Sequence, residues 1–365
     1  MNAERLHYLA SKLVKEFQAK QIIKLLSNLI NQLQNLVNSP NDAGAQQNLH
    51  NARSTLADRL KSIEIDHLSP TFRKMVVDLG LSYFFGDALS KTVDAIFERN
   101  QITPAVALTE ITSIRDKLQE HLNHLQQLSA ALVHFDIEED NLRFGAAEVS
   151  VFIPREAVQN ELANFGVEIR KLDQILKVFY EFSTGETERI KINQISSSDL
   201  SLFLDLAPQV AAFLAVALER IVALYKNVLD IRIQHNQLKN LNVPEETLKG
   251  IEDHANKVME DGVKGHVDEI FDANPPEVEE GRRKELKTAV VKALLELAYR
   301  IDEGYNVDVR AGAPESAESD DETDEVKAQR AYAIKINTAA ANIRFVKPPG
   351  DPILLPKQND SDDRP

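Results

Sequence analysis

Residues 207–240, with the sequence APQVAAFLAVALERIVALYKNVLDIRIQHNQLKN, decide the fold of this chain. Apolar side chains recur in this stretch at steps of three and four, the spacing that places them on one face of an α-helix. Such persistence is typical of a central core helix or of a coiled-coil seam, and both interpretations are open at this point. The face consists of Leu214, Leu218, Ile221, Leu224, Val228, Ile231, His235 and Leu238.

The composition favours helices over loop-rich β architecture, because the 365 residues include only 13 glycines and 14 prolines. With 43% apolar residues, the chain can fill globular cores. We therefore expect a mainly α fold with a minor β component, that is, an α+β chain of about two domains. Cysteine is absent, which excludes disulfide scaffolds, thiolate zinc sites and cysteine nucleophiles.

The net charge is −15, from 42 basic and 57 acidic side chains. An acidic surface repels phosphate, so this charge disfavours nucleic acid as a partner. Residues 1–29 mix charged and apolar side chains and lack the long apolar stretch of a secretory signal. We therefore expect a cytoplasmic protein.

The most apolar run, Leu206–Leu218, contains no charged residue. It is shorter than the ~20 residues that a membrane-spanning helix needs, so it predicts no stable membrane insertion. Burial in a core explains such a run, since an interior helix is apolar on all sides. A membrane-perturbing effector that acts through residues 207–225 is the other interpretation.

Two structured regions are expected along the chain. Residues 1–135 predict an all-helical bundle, because amphipathic segments follow one another between breaks such as Ser39–Asp42. The last and longest of these helices begins at Thr103-Pro104, and helices of such length must bury their apolar faces against each other. Residues 146–310 predict an α+β domain around the long central helix.

Short β-branched or alternating runs predict the strands of that second domain. Glu148–Ile153 and Arg189–Asn193 are typical of strands, and Leu200–Leu206 is a candidate hairpin partner of the latter. A helix is the competing interpretation of Leu200–Leu206. Tyr305–Arg310 predicts one further strand.

The C-terminal region predicts a linker, a pair of strands and a tail. Residues 311–328 are rich in Glu, Asp and Ser, so we expect an acidic disordered linker. Within residues 329–347, Tyr332–Asn337 repeats the Ile-Lys-Ile-Asn of Ile190–Asn193. We hypothesise that strands here return to the sheet, and that residues 348–365 form a flexible tail.

Several common enzyme motifs are absent from the sequence, including phosphate-binding glycine loops, Gly-x-Ser-x-Gly and His-Glu-x-x-His. Arg115, Asp116 and His121 form an Arg-polar-x-x-x-x-His arrangement that resembles the signature of HEPN ribonucleases. The resemblance implies phosphate transfer by the arginine and the histidine, with the histidine as general base. On a regular helix the two side chains lie about 120° apart, so they converge only in a distorted helix or across a dimer. A solvated helix face is the alternative.

Other polar clusters have ordinary structural interpretations beside their chemical ones. One cluster contains residue types that ligate metals, but its spacing matches no known motif, so we interpret it as solvated helix surface and expect no metal and no cofactor. His235 is interpreted as a hydrogen-bonded core histidine. Ser196–Asp199 suits a turn or helix cap rather than a catalytic serine. The cluster with metal-ligating residue types comprises Asp253, His254, His266, Asp268 and Glu269.

These observations favour a non-catalytic helical scaffold, acting as a subunit of a cytoplasmic protein assembly. Its partner would be another protein or a second copy of the chain. The interaction surface is expected on the apolar face from Leu214 to Leu238 described above. The HEPN-like ribonuclease using Arg115 and His121 is the alternative, and the membrane effector is a further one.

Overall fold

A computed structural model describes residues 2–63, 68–196, 200–241, 243–273, 276, 278–312, 323–343 and 348–354. In these residues, eleven α-helices accompany one four-stranded antiparallel sheet, which confirms the mainly α fold class with a minor β component. The chain divides into two compact units, Met1–Asn141 and Leu142–Pro365.

The first unit is helical throughout its described residues. Leucines and isoleucines spaced at three and four fill its core, and Leu9, Leu26, Leu60 and Leu118 are almost fully buried. The chain returns to its start in the ion pair between Arg5 and Asp140, at 3.0 Å. The α-helices are α1 Ala3–Ala19, α2 Ile22–Asn38, α3 Ala43–Lys61, α4 Pro70–Asp78, α5 Gly86–Arg99 and α6 Pro104–His134.

The sheet of the second unit has the strand order β2-β3-β1-β4. The hairpin expected between the second and third strands is confirmed, with an irregularity between Ile192 and Gln194. Val149 faces Leu204 on one side and Val309 on the other, and these three side chains share the apolar face of the sheet. The strands are β1 Ala147–Phe152, β2 Lys191–Ser196, β3 Ser201–Leu206 and β4 Asn306–Ala311.

Helices cover the sheet of the second unit, and α8 lies at the centre of its core. This helix packs against α7, α9, α10 and α11 and against strands β1 and β4. Such surroundings explain why its first half is apolar on all sides, since nearly every face meets another element. The helices are α7 Leu162–Thr184, α8 Pro208–Asn240, α9 Glu245–Ala273, α10 Glu280–Asp302 and α11 Asp324–Asn342.

The expectation of C-terminal strands is wrong for Tyr332–Asn337, which lies within helix α11. The helix begins after Thr323, whose side chain accepts a hydrogen bond from the amide of Val326 at 3.4 Å. Its buried residues recur at helical rather than alternating spacing, so the shared Ile-Lys-Ile-Asn carries no strand preference of its own. Those residues are Arg330, Ala333, Ile336, Ala339 and Ala340.

The boundaries expected for the linker and the tail also change. Residues 324–328 of the expected linker 311–328 belong to α11, and residues 313–322 lie outside the described residues. Residues 344–347 of the expected strands lie outside them too. The expectation of a flexible tail over 348–365 is wrong for its first part, because Ile353 and Leu354 are buried. Residues 355–365 are outside the described part of the chain.

Candidate functional site

The apolar face expected to meet a partner serves the core of the second unit instead. Leu214, Leu218, Ile221 and Val228 are each at most 1% exposed. Leu224 and Ile231 are partly buried against the same core, and Leu238 is half-buried. The chain's own helices and sheet therefore take up most of this face, which argues against it as the main interaction surface.

His235 is the polar member of that face, and it is buried as a core histidine. Its Nε2 lies 3.0 Å from Oε1 of Glu252 on α9, which holds the ring between the two helices. Its Nδ1 is buried and has no hydrogen-bond partner among the described residues. The expected hydrogen-bonded core histidine therefore describes this position.

The two residues of the HEPN-like arrangement lie half-buried on α6 and engage different neighbours. Arg115 donates through Nε to Oδ1 of Asp116 at 2.8 Å. The ring of His121 packs at a tilt against that of Phe84, with centroids 4.8 Å apart. Neither contact joins the arginine to the histidine, so nothing in the described first unit assembles them into one phosphate-binding pair.

The expected helix-surface cluster of the second unit is divided among separate partners. Asp268 forms an ion pair with Lys287 at 2.7 Å, while Nδ1 of His266 lies 3.9 Å from Glu269. Burial lowers the pKa of His266, which favours its neutral form. Among the described residues, no group of three or more His, Asp and Glu side chains could hold a metal ion. Of the Ser196–Asp199 turn, residues 197–199 lie outside the description.

One helix in the described part of the chain, α8, is long and apolar enough by length and composition to cross a membrane. In its most apolar window, 56% of the residues are buried inside the second unit. A core helix of a soluble unit passes the same test, so this property fits the central position of α8 equally well.

A different site lies on α8, α9 and α10, where the C-terminal segment, residues 348–354, binds. We call the residues that hold it the α8–α10 site. On α8, Arg232 donates through Nε to the carbonyl oxygen of Pro349 at 2.9 Å and through a terminal nitrogen to that of Gly350 at 2.5 Å. Asn236, one turn along the helix, donates to the same Pro349 oxygen at 3.0 Å. Peptide carbonyls thus dock directly on two side chains of one helix face.

Asp302, the last residue of α10, binds the other end of the C-terminal segment. Its Oδ2 accepts hydrogen bonds from the backbone amides of Ile353 and Leu354, each at 2.7 Å. Its Oδ1 accepts from Arg232 at 2.6 Å and from the hydroxyl of Tyr225 at 2.6 Å. The carboxylate therefore has both oxygens occupied while its side chain is 0% exposed.

The position of Asp302 explains why a cation must accompany it. A carboxylate at the C-terminal end of a helix meets the negative end of the helix dipole, and burial removes water that would otherwise solvate it. Arg232 offsets both effects, because it pairs with the carboxylate and also donates to the backbone carbonyl of Asp302. The paired charges form the floor on which the segment lies.

Side-chain contacts complete the hold on the segment. Ile353 and Leu354 are 0% and 2% exposed within the core of the second unit. Asn256 on α9 donates to the carbonyl oxygen of Ile353 at 3.2 Å. At the rim, Lys239 pairs with Asp351 at 2.5 Å, an exposed contact. The site therefore forms hydrogen bonds with the backbone at both ends of the segment. It also buries two apolar side chains of the segment at one end and pairs with the carboxylate of Asp351 at the rim.

Gly350 is the one position of the segment where the backbone demands glycine. Its φ is +69°, in the left-handed region that favours glycine. A Cβ added there would clash with the side-chain amide of Asn236. The site thus leaves no space for a side chain larger than the hydrogen atom of glycine at this position.

The ionisable groups of the site are shifted in consistent directions. The hydrogen bond and charge of Lys239 lower the pKa of Asp351, and Asp351 raises that of Lys239. Burial raises the pKa of Tyr225, and the adjacent Asp302 carboxylate raises it further. The phenol therefore stays neutral and keeps donating its proton to Asp302.

The apolar spacing along α8 does not reveal the residues of this site. A polar signal was present on the same helix: Tyr225, Arg232, Asn236 and Lys239 recur at steps of seven, four and three. That spacing places four hydrogen-bonding side chains on one face. Nothing in the sequence connects this face with Asp302 or with Gly350.

Comparisons with protein-family models, with curated proteins and with solved structures find no match to this chain.

Proposed function

We propose that the chain is a non-catalytic interaction protein, a subunit of a protein assembly, and that its binding site is the α8–α10 site. The C-terminal segment occupies this site as an internal ligand. The proposed ligand class is a short peptide that bends at Pro-Gly-Asp and continues with a proline and two large aliphatic residues. The cytoplasm, expected from the sequence, stays part of this proposal.

The observation that carries the proposal is the number of main-chain groups that the site satisfies. Three carbonyls and two amides of the segment, at Pro349, Gly350, Ile353 and Leu354, are bound by side chains of α8, α9 and α10. Peptide-binding proteins obtain affinity from main-chain hydrogen bonds and specificity from side-chain contacts. The α8–α10 site supplies both.

The chemistry of the site supports binding rather than catalysis. Both carboxylate oxygens of Asp302 accept hydrogen bonds, and Arg232 donates to the segment and to Asp302. Tyr225 is neutral and donates to Asp302. A general base needs a free lone pair near the reacting proton, and these groups offer none. Their arrangement instead suits fixed recognition of a backbone.

The test is the binding of a fluorescein-labelled peptide with the sequence of residues 348–356 to the full-length chain, followed by fluorescence anisotropy. In the unaltered chain the tethered segment competes at an effective concentration on the order of millimolar, which weakens binding. Ile353→Asp places a charge in a buried position and releases the tethered segment. We expect the peptide to bind this variant at least tenfold more tightly than the unaltered chain.

The matched control adds Arg232→Met to Ile353→Asp, which keeps the released segment and removes the donors of the site. Because Arg232 also supports folding, the comparison is made where the circular dichroism of the double variant stays native, and there we expect peptide binding to be lost. Equal binding with and without Arg232, or no binding to Ile353→Asp while its circular dichroism stays native, would contradict the proposed function.

A further inference from the structure

We propose that two copies of the chain exchange their C-terminal arms, so that the segment of each copy occupies the α8–α10 site of the other. The C-terminal arm is helix α11 together with the C-terminal segment. This inference rests on the proposed function, because it names the partner that fills the same site. It makes the expected assembly subunit a self-assembling one.

The two parts of the arm dock on the same helix of the second unit. Helix α11 packs along α8 and against β4. Ile336 and Ala339 are buried in this packing, and Asn342 donates to Oε1 of Glu219 on α8 at 2.7 Å. The C-terminal segment docks further along α8, at Arg232 and Asn236. Both parts of the arm therefore contact α8, at different points along its length.

The length of chain between the body and the arm permits the exchange. Residues 313–322 connect Gly312, which follows β4, with Thr323, which caps α11. Ten residues span up to about 33–36 Å when fully extended, roughly the diameter of a small domain. They contain five acidic and no basic side chains in the sequence. By chain length alone, a connection of this reach is sufficient to join one copy to an adjacent one.

The structure shows the fit of this segment to this site within one chain, and a second copy brings the same segment and the same site. Each copy carries a segment with glycine at the position of left-handed backbone and aspartate opposite Lys239. Each copy also carries the complete set of donors and acceptors that bind it. Exchange between two identical copies preserves every one of these contacts and closes a twofold dimer, which is why swapping of an element needs no new interface.

The test uses the absence of cysteine from the chain. Chains with Lys239→Cys and chains with Asp351→Cys, carrying different affinity tags, are co-expressed and then treated with a short bis-maleimide. Both positions are exposed and in contact with each other, so the reagent reaches both. We expect a covalent pair of chains carrying both tags on a denaturing gel, at a yield approaching half of the material.

The control pair is Lys284→Cys with Asp351→Cys. Lys284 is exposed near the start of α10, ~27 Å along that helix from Asp302, so a short reagent gives no link there. The double variant Lys239→Cys/Asp351→Cys in one chain tests the docking itself. A link within that single chain, with none between the two singly substituted chains, overturns the exchange and leaves the α8–α10 site intact. No link in any combination overturns the docking and with it the proposed function.

Discussion

Arg232 and Asp302 form an ion pair at 2.6 Å between α8 and α10, with side chains 3% and 0% exposed. Seventy residues separate them in the sequence, and both bind the C-terminal segment, one through carbonyls and the other through amides. The pair thus joins the stability of the second unit to the occupancy of its binding site.

Removing one charge of this pair should cost much of the second unit's stability. Arg232→Ala leaves a buried carboxylate without its cation, and we expect the free energy of unfolding to fall by ~3–5 kcal/mol. Chemical denaturation measures the loss. Arg282→Ala is the matched control, because its ion pair with Glu181 is half-exposed and should contribute no more than ~1 kcal/mol. Equal losses in the two variants would refute this reasoning.

Gly350→Ala should loosen the segment while sparing the rest of the unit. The substitution meets both the positive φ and the amide of Asn236, so we expect a cost above ~1 kcal/mol at the segment. Limited proteolysis would detect it as faster cleavage within 348–354. Gly265→Ala on α9 is the control: a Cβ there has no neighbour within 4 Å, and the helix should gain ~0.5–1 kcal/mol. Unchanged cleavage of Gly350→Ala would contradict the close fit.

Alkaline pH should destabilise the second unit through Tyr225. Burial raises the pKa of this phenol in the folded state, whereas the unfolded value lies near 10. Its contribution to stability is therefore fully present below about pH 10 and is lost as the pH rises towards the folded-state pKa. Denaturation curves at about pH 9 and about pH 11 measure this slope. We expect the free energy of unfolding to fall less steeply with pH in Tyr225→Phe than in the unaltered chain. An identical dependence on pH would show that burial does not protect the phenol from ionisation.

The apolar anchor of the segment should matter more than an exposed residue of similar size. Ile353 is fully buried, so Ile353→Ala should lower the free energy of unfolding by ~2–5 kcal/mol. The loss is smaller if the segment detaches from the site instead of leaving a cavity there. Ile334 on α11 is 53% exposed, and its replacement by Ala should change stability by at most ~0.5 kcal/mol. Thermal unfolding of the two variants separates these effects, and equal melting temperatures would contradict the burial of the segment.

The sequence predicted those elements whose local pattern agrees with their surroundings. Alternation marked the hairpin that contains Leu204, and spacing at three and four marked α8. The same local rules gave a wrong strand prediction for Tyr332–Asn337. Four residues of alternating pattern are also compatible with a helix, and here they belong to a helix that continues through Ala339 and Ala340. Helical packing against α8, a long-range contact, decided the outcome.

The candidate site could not be predicted from the sequence for a related reason. Arg232 and Asp302 are ordinary charged residues in their own helices, and only the fold shows that they meet in a buried place. The apolar face of α8 can be recognised in the sequence because its periodicity is a local property. Burial of a charge and its pairing with distant groups have no local signature, so a binding site made of them appears only in three dimensions.

The most direct test of an exchangeable ligand in the α8–α10 site is hydrogen exchange of the Ile353 and Leu354 amides in the unaltered, full-length chain. Both donate to the buried carboxylate of Asp302 and should be strongly protected. A saturating excess of the peptide 348–356 should displace the tethered segment and accelerate exchange of these two amides at least tenfold, while buried strand amides such as that of Val149 stay unchanged. Protection that persists at every peptide concentration would contradict the claim that this site binds a replaceable peptide.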